Sequence, residues 1–478
     1  MRIAMVASEA NPFVKSGGLA DVVYSLSKEL AIMGEEVAIF LPFYRSIKEK
    51  CNPKVKKICS CEVNMSWRKQ GADIFITYAD GITYYLVDND YYFSRSNTYG
   101  YMDDGERFAF FNLMVRKIMQ VRKLSYDVIH VHDWQCGMLP ALIKEQNRNE
   151  SMFVNTKFVI TIHNEAFQGM LDRFFVNDFY GLSDSLYDNG NLRLKNMFST
   201  LKSGIVYADK ITTVSPTHRE ELLTAEYGQG LEDVLKERAD NFVGVLNGID
   251  MVEFDPKSDD LIFAKYDVKN VTSGKRDNKK NLLDYFNLVD DNQPVFGLVS
   301  RLTWQKGIDL VISIADLLLS KGHSIVILGS GEYDLEQKLE SLRRMYPQKM
   351  GIYIGYSNQL AHKIYSGSDF FLMPSLFEPC GIGQMIAERY GTLPIVRNTG
   401  GLRDTVISYD ESNSAVANGF SFNNYDYSGI DYACFEALKS YNDRALLKKL
   451  RINAMKTDNG WHNSANDYLK LYHKLLGR

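Results

Sequence analysis

Short apolar runs alternate with helix-spaced apolar positions along most of the chain. Residues 2–8 (RIAMVAS) form the first run; from Leu19, apolar positions 19, 22, 23, 26, 30 and 33 repeat with helical spacing, and Gly34 stops that helix. EEVAIFLP (35–42), DVIHVHD (127–133), KFVITIHN (157–164) and KITTVSP (210–216) continue the rhythm. Such alternation predicts parallel strands wrapped by helices, because runs buried on both faces need cover on both sides. The rhythm weakens between Asp250 and Asn292, where Pro256, Lys275, Arg276, Lys279 and Lys280 give a polar, charge-rich stretch. It restarts with VFGLVS (295–300), SIVILGSG (324–331), GIYIGYS (351–357), DFFLMPS (369–375) and LPIVRN (393–398), alternating with helical positions such as 308, 311, 312, 315, 318 and 319. The expected fold class is α/β, two sheets in succession, with a ligand cleft where the carboxyl ends of their strands face one another.

The 478 residues allow two large domains, and 45% apolar with 24% charged residues excludes a disordered or fibrous chain. Lys plus Arg is 55 against 59 for Asp plus Glu, a net charge of −4, so no bulk positive field selects nucleic acid or an anionic membrane. An anionic substrate must be met by local groups. No apolar run approaches the roughly 20 residues of a membrane span, and the first run is too short for a secretory signal, which predicts a cytoplasmic protein. Six cysteines (Cys51, Cys59, Cys61, Cys136, Cys380 and Cys434) in so long a chain fit reduced thiols, not a disulfide framework. Cys59-Ser-Cys61 has no second pair or nearby His to complete a zinc site.

Candidate chemistry gathers at strand ends. After the first strand, SEANPFVKSGGLAD sets Lys15, Gly17, Gly18 and Asp21 where a helix begins; adjacent glycines with a preceding cation suit phosphate, and an ordinary turn is the rival reading. The segment is neither G-x-G-x-x-G nor a P-loop, so dinucleotide-cofactor and nucleotide-hydrolase readings lose their support. In SRLTWQKG, Arg301 and Lys306 can address a diphosphate leaving group, whose charge grows in the transition state; the rival is a pair of exposed helix-start cations. In SLFEPCGIGQ, Glu378 held beside those cations would accept hydrogen bonds from sugar hydroxyls, with helix capping as its alternative. Cys380 has no His partner for a nucleophilic thiol and reads as packing. HVHDW places His130 and His132 on one face, with Asp133 and Trp134 following, and His163 with Asn164 ends a later strand; Asp133 and His163 are the better functional candidates. Asp88-Asn-Asp90 spells a D-x-D metal pattern, redundant if Arg301 and Lys306 carry the phosphates. The aromatic run YYFSRSNTYG (91–100) suits sugar faces and core packing equally.

These motifs resemble those of the bacterial glycogen synthases and plant starch synthases. KSGGLADV, HVHDWQ, ITIHN, VLNGID, SRLTWQKG, GYS, FEPCGIGQ, YGTLPIVRNTGGLRDTV and NGFSF occur in that family's order and spacing across the whole chain. The resemblance implies a GT-B fold: two Rossmann-like doubly wound domains, 1–247 on the acceptor side and 248–458 for the nucleotide sugar, flanking an interdomain cleft. Segment 459–478, with WHNSANDYLKLYHKLL, resembles the helix that returns to the first domain. It implies retaining transfer of glucose from ADP-glucose to glycogen or a malto-oligosaccharide, with release of ADP, no metal and no cofactor. By position, Lys15, Gly17, Gly18, Arg301 and Lys306 match the phosphate-facing set. Asp21 and Asn247 match donor-site residues, and Tyr356 matches the ring that stacks on adenine. Glu378 matches the carboxylate that grips glucose, with Cys380, Gly381 and Gly383 in the same substrate-binding segment. His163 and Asp133 match the catalytic pair of the first domain, bordered by Trp134.

Two positions depart from the family pattern. Gly383 stands where many members have Thr, removing a hydroxyl directed at the phosphates. Position 386 is Ile where many retaining relatives have a second Glu, and Glu388 is out of register. The alternatives are the same fold with UDP-glucose or another acceptor, and a catalytically silent glycan-binding protein. Domain closure is expected to exclude water from the donor.

Overall fold

A computed structural model describes residues 1–50 and 54–478, so Cys51 lies outside the described residues. The chain divides into two compact units, Met1–Val245 with Trp461–Arg478, and Leu246–Gly460.

The first unit's strands are β1 (Arg2–Val6), β2 (Glu36–Pro42), β3 (Lys56–Met65), β4 (Arg68–Ala79), β5 (Ile82–Asp88), β6 (Val128–His132), β7 (Lys157–Ile162), the short β8 (Met170–Leu171), β9 (Arg193–Leu194) and β10 (Met197–Ser199), then β11 (Lys210–Thr213) and β12 (Phe242–Gly244). Among the described residues the main sheet has nine strands in the order β12-β11-β7-β6-β1-β2-β5-β4-β3, and β8, β10 and β9 make a separate antiparallel sheet. Strands β12 through β5 pair in parallel, as their aliphatic runs require. The β3–β4–β5 edge is antiparallel and was not legible in the alternation. Its residues alternate buried and exposed along β3, the signature of a strand with one wet face, where the central strands are continuously buried.

The helix Gly18–Ile32 follows the expected apolar positions and stops at Met33 before Gly34, which takes φ +93. The last helix, Trp461–Leu476, buries Trp461, Ala465, Tyr468 and Tyr472 in the first unit's core. Those residues recur at spacings of four, three and four, one stripe of a helix, so hydrophobic burial returns the chain terminus to this unit.

The second unit's strands are β13 (Val295–Val299), β14 (Ser324–Gly329), β15 (Met350–Ile354), β16 (Phe370–Met373), β17 (Leu393–Arg397) and β18 (Phe420–Phe422), all parallel, in the order β15-β14-β13-β16-β17-β18. The helix Ile308–Ser320 buries Ile308, Val311, Ala315, Leu318 and Leu319 as the spacing predicted. The polar stretch after Asp250 contains a helix, Val271–Tyr285, that buries two of the lysines which made it charge-rich. Lys279 Nζ bonds Asp369 at 2.8 Å and Tyr441 at 2.9 Å, while Lys275 Nζ bonds Thr392 Oγ1 and the Tyr365 carbonyl. Arg451 completes the ion cluster on the other oxygen of Asp369. A buried lysine is tolerable only with such partners, which no local pattern announces.

Among the described residues no helix is long and apolar enough to cross a membrane.

Candidate active site

Strand order reverses between β1 and β6 in the first unit and between β13 and β16 in the second, and ligands of open parallel sheets bind beyond the carboxyl ends at such switch points. Lys15, Asp133, Arg301, Lys306 and Glu378 follow the strands that flank these points, and His163 follows β7, next to β6.

In the first unit, the loop after β1 is organised by a buried carboxylate. Glu9 Oε2 accepts from the Ser16 amide at 2.5 Å and the Ser16 hydroxyl at 2.6 Å, and the Gly17 amide also faces it. Burial raises its pKa above the ordinary carboxylate value against those bonds. Gly17 precedes the helix Gly18–Ile32 with φ −152, which any residue adopts, and a Cβ added at Gly18 would meet nothing within 4 Å. Neither turn geometry nor packing therefore demands glycine at 18, and the space a Cβ would take there is open. Lys15 Nζ is held 2.8 Å from Asp21, which also accepts from Asn11 Nδ2.

At the end of β6, Asp133 adopts φ +57, a left-handed conformation uncommon outside glycine. The turn aims its carboxylate at the end of β7, where the His163 amide donates to Oδ1 at 2.7 Å and the Asn164 amide also approaches. Burial raises the Asp133 pKa to about 7, the two amides lowering it and the charges of Glu9 and Glu165 raising it further. His163 Nε2 lies 3.0 Å from His132 Nδ1, and burial takes the His163 pKa down to about 3. Trp134 packs edge-on against Phe108 at 5.3 Å, and its carbonyl accepts from Thr200. His130, the expected core histidine, bonds Tyr472 through Nδ1 and Thr161 through Nε2. Behind the His163 turn, His218 lies between two carboxylates, 3.3 Å from Glu165 and 3.5 Å from Glu221.

In the second unit, β13 leads into Arg301 and the short turn Trp304–Lys306, and β16 leads into Ser375 and Glu378. Gly307 takes φ +72, and a Cβ there would fall 2.1 Å from the Pro374 carbonyl oxygen. Glycine lets the two loops press together, so that Lys306 Nζ forms an ion pair with Glu378. Glu378 also accepts from Ser375 Oγ at 3.0 Å and is 7% exposed. Its carbonyl receives the Gly401 amide, and the preceding Gly400, at φ +43, would place a Cβ 2.0 Å from that same oxygen. The NTGG segment thus braces Glu378 from behind.

Several expected placements need correction. Arg301 is exposed and bonds Gln305 Oε1 at 3.2 Å; Glu378 pairs with Lys306 and not with Arg301. Glu378 does not cap the helix Gly383–Arg389, whose N-cap is Ile382. Cys380 is buried with its thiol at the Asn247 amide, and burial pushes its pKa up to about 12, so it is neither a nucleophile nor an exposed contact. Asn247 Oδ1 is buried without a hydrogen-bond partner. Gly381 turns the chain at φ +73, and a Cβ at Gly383 would sit 3.2 Å from the Phe371 ring, so a side chain there would press on that ring. Tyr356 is 84% exposed, its ring free to take a planar ligand. Lys48 is bonded to both Asp88 and Asp90, at 2.6 and 3.0 Å. In the aromatic run, residues 90–93 form a helical turn in which core packing accounts for the fully buried Tyr92 and Phe93, while Tyr91 is exposed and Tyr99 bonds Ser8.

Residues 2–237 match the starch synthase catalytic domain family and residues 280–456 the glycosyl transferases group 1 family. Over 480 residues the chain is 44% identical to a glycogen synthase of Clostridium botulinum, covering all of both proteins. It is 42% identical to a glycogen synthase of Geobacillus thermodenitrificans, covering 100% of this chain and 98% of that one. Among solved structures, the catalytic domain of starch synthase IV from Arabidopsis thaliana, bound to ADP and acarbose, matches with a TM-score of 0.92 at 30% identity, covering 100% of this chain and 99% of that one. The chain belongs to the glycogen and starch synthase family. It is a glycosyltransferase with the two-unit GT-B architecture of that family.

Motif spacing singles out Lys15, Asp21, Asp133, His163, Lys306 and Glu378: Asp133 and His163 stand directly at strand ends, and the other four on the loop or first helical turn that follows a strand. Glu9, a polar residue after an apolar run, and Glu165 are not singled out by the motifs, and His132 is singled out only as sharing a face with His130. A carboxylate directly after the first strand, beside a turn rich in backbone donors, was the available signal for Glu9.

Proposed function

We propose that the protein is a retaining glucosyltransferase that elongates an α-1,4-glucan such as glycogen from ADP-glucose in the cytoplasm, releasing ADP. The observation that carries this reading is the Lys306–Glu378 pair at the switch point of the second sheet. An ammonium and a carboxylate on two loops that glycine presses together supply opposite needs of one nucleotide sugar. Lys306 has three donors, so it serves the departing phosphate while still touching Glu378, and Glu378 has lone pairs for the glucose hydroxyls. As the bond from the anomeric carbon to the phosphate oxygen breaks, its electron pair passes to the diphosphate. Fixed cations at Lys306 and Arg301 favour that state over the ground state. The acceptor hydroxyl oxygen then forms the new bond to the anomeric carbon, and the hydroxyl proton passes to the released diphosphate oxygen.

In the first unit, the open space before Gly18 and the ammonium of Lys15 suit phosphate oxygens. His163 orients the glucose. Asp133 acts as an orienting and electrostatic group: its carboxylate is bound by backbone amides and its raised pKa lowers its readiness to remain charged. Tyr356 offers an unobstructed ring to the adenine, and the unpaired Asn247 Oδ1 awaits a donor from the ligand. The acceptor is read from the family's glycogen and starch synthases.

Transfer of labelled glucose from ADP-glucose to glycogen, run beside UDP-glucose, tests the reading. Incorporation should be fast with ADP-glucose and at least about tenfold slower with UDP-glucose, a difference of about 1.4 kcal/mol. Equal rates would remove the donor assignment, and absence of transfer from either donor would remove the activity.

A further inference from the structure

Strands β6 and β7 bring three imidazoles into line. The rings of His130 and His132 stack at 4.3 Å, and His132 Nδ1 reaches His163 Nε2 at 3.0 Å. Burial depresses all three pKa values, His130 and His163 to about 3 and His132 well below the ordinary value, so each ring is neutral and carries one N–H. Which nitrogen holds it follows from the partners.

For His130 the donors and acceptors form a closed count. Thr212 Oγ1 donates to the Ile160 carbonyl at 3.3 Å and accepts from Thr161 Oγ1 at 2.6 Å. Thr161 in turn accepts from His130 Nε2–H at 2.6 Å, leaving His130 Nδ1 to accept the Tyr472 hydroxyl at 2.7 Å. The chain of donation runs from the returning helix into the sheet and ends on a carbonyl.

For His132, Nε2 is buried without a hydrogen-bond partner. A proton there would orphan a buried N–H, which folded proteins avoid more strictly than an unfilled lone pair. The proton therefore belongs on Nδ1, donating to His163 Nε2. His163 must then carry its own proton on Nδ1, which makes no hydrogen bond among the described residues. We propose that His132 is a positioning residue that locks His163 in the Nδ1–H tautomer, so that His163 meets the transferred sugar as a hydrogen-bond donor and not as a base. The sugar-facing half of this statement rests on the role given to His163 above; the tautomer does not. Free imidazole side chains favour the proton on Nε2, so the assignment departs from the default.

The test is the long-range proton–nitrogen spectrum of the full-length protein labelled with nitrogen-15 in histidine, with His163 assigned by its loss in His163→Ala. The expected wild-type spectrum shows a protonated Nδ1 and an unprotonated Nε2 for His163. In His132→Leu that pattern should shift toward the Nε2–H form and kcat should fall about tenfold, with the donor KM within about twofold. His132→Asn, whose amide N–H replaces the Nδ1 donor, should restore the tautomer and most of the rate. A wild-type His163 protonated on Nε2 overturns the inference whatever the rates. The expected tautomer together with an unimpaired His132→Leu enzyme instead overturns the glucose-orienting role of His163 and supports the tautomer assignment.

Discussion

The polar groups buried near the two candidate sites are handled in different ways. Around the first unit's switch point the buried groups are neutral or nearly so: three histidines with depressed pKa values and Asp133 raised to about 7, tied by backbone amides and hydroxyls. The second unit buries ions and pairs them: Lys279 and Arg451 on Asp369, Lys306 on Glu378. Neutral hydrogen bonds fix the direction of a donor or acceptor without a strong field, which suits orienting a sugar. Charge supplies the field that a departing diphosphate needs. This chain thus sets directional groups beside one sheet and paired charges beside the other.

Acid should separate the units most sharply. Burial holds the three histidines far below the unfolded value of 6.5, so the unfolded chain binds more protons and the first unit loses stability as pH falls below that value. Each of the two fully buried rings, His130 and His132, contributes up to about 1.4 kcal/mol per pH unit. His218, whose pKa is raised by Glu165 and Glu221 against its burial, opposes this, its stabilisation being complete below 6.5 and lost as pH rises through its folded value, and Asp133, raised by burial to about 7, opposes it between pH 7 and 3.8 by taking its proton first in the folded state. Asp369 is lowered to about 2, with burial opposed by Lys279 and Arg451, so its contribution is intact above 3.8 and fades only as pH falls toward 2. Hydrogen exchange read by mass spectrometry between pH 7 and 4.5 should show the first unit opening before the second. Simultaneous opening would break the contrast.

Next in size, Lys306→Ala and Arg301→Ala should each lower turnover more than tenfold, at least about 1.4 kcal/mol of transition-state stabilisation. Only Lys306→Ala should also reduce thermal stability, because it strands the buried Glu378 while Arg301 has solvent around it. Steady-state kinetics beside thermal melts would show this, and unchanged turnover in both would remove the diphosphate assignment. The smallest effect is expected from Tyr356→Ala, which should weaken ADP binding by about 1 kcal/mol with the melting temperature unchanged, measured by calorimetry. Unaltered affinity would mean that the exposed ring serves no nucleotide.

The parallel strands and their helices were readable because a strand buried on both faces must be continuously apolar, and a half-buried helix must repeat near 3.6. The β3–β5 edge escaped because one-sided strands alternate, and alternation over residues 56–88 was diluted by long amphipathic side chains. The Val271–Tyr285 helix was taken for a polar stretch because Lys275 and Lys279 find their partners 90 or more residues away.

Sequence alone determined the two αβ units, the strand ends that carry Asp133, His163, Lys306 and Glu378, and the family, since local periodicity and ordered motifs survive without coordinates. Tertiary structure alone decided that Glu378 pairs with Lys306 and not Arg301, that Lys48 holds Asp88 and Asp90, and which histidine orients which. Ion pairs and proton positions are set by distances between groups far apart in the chain, and the energy of each depends on a burial that no single segment specifies.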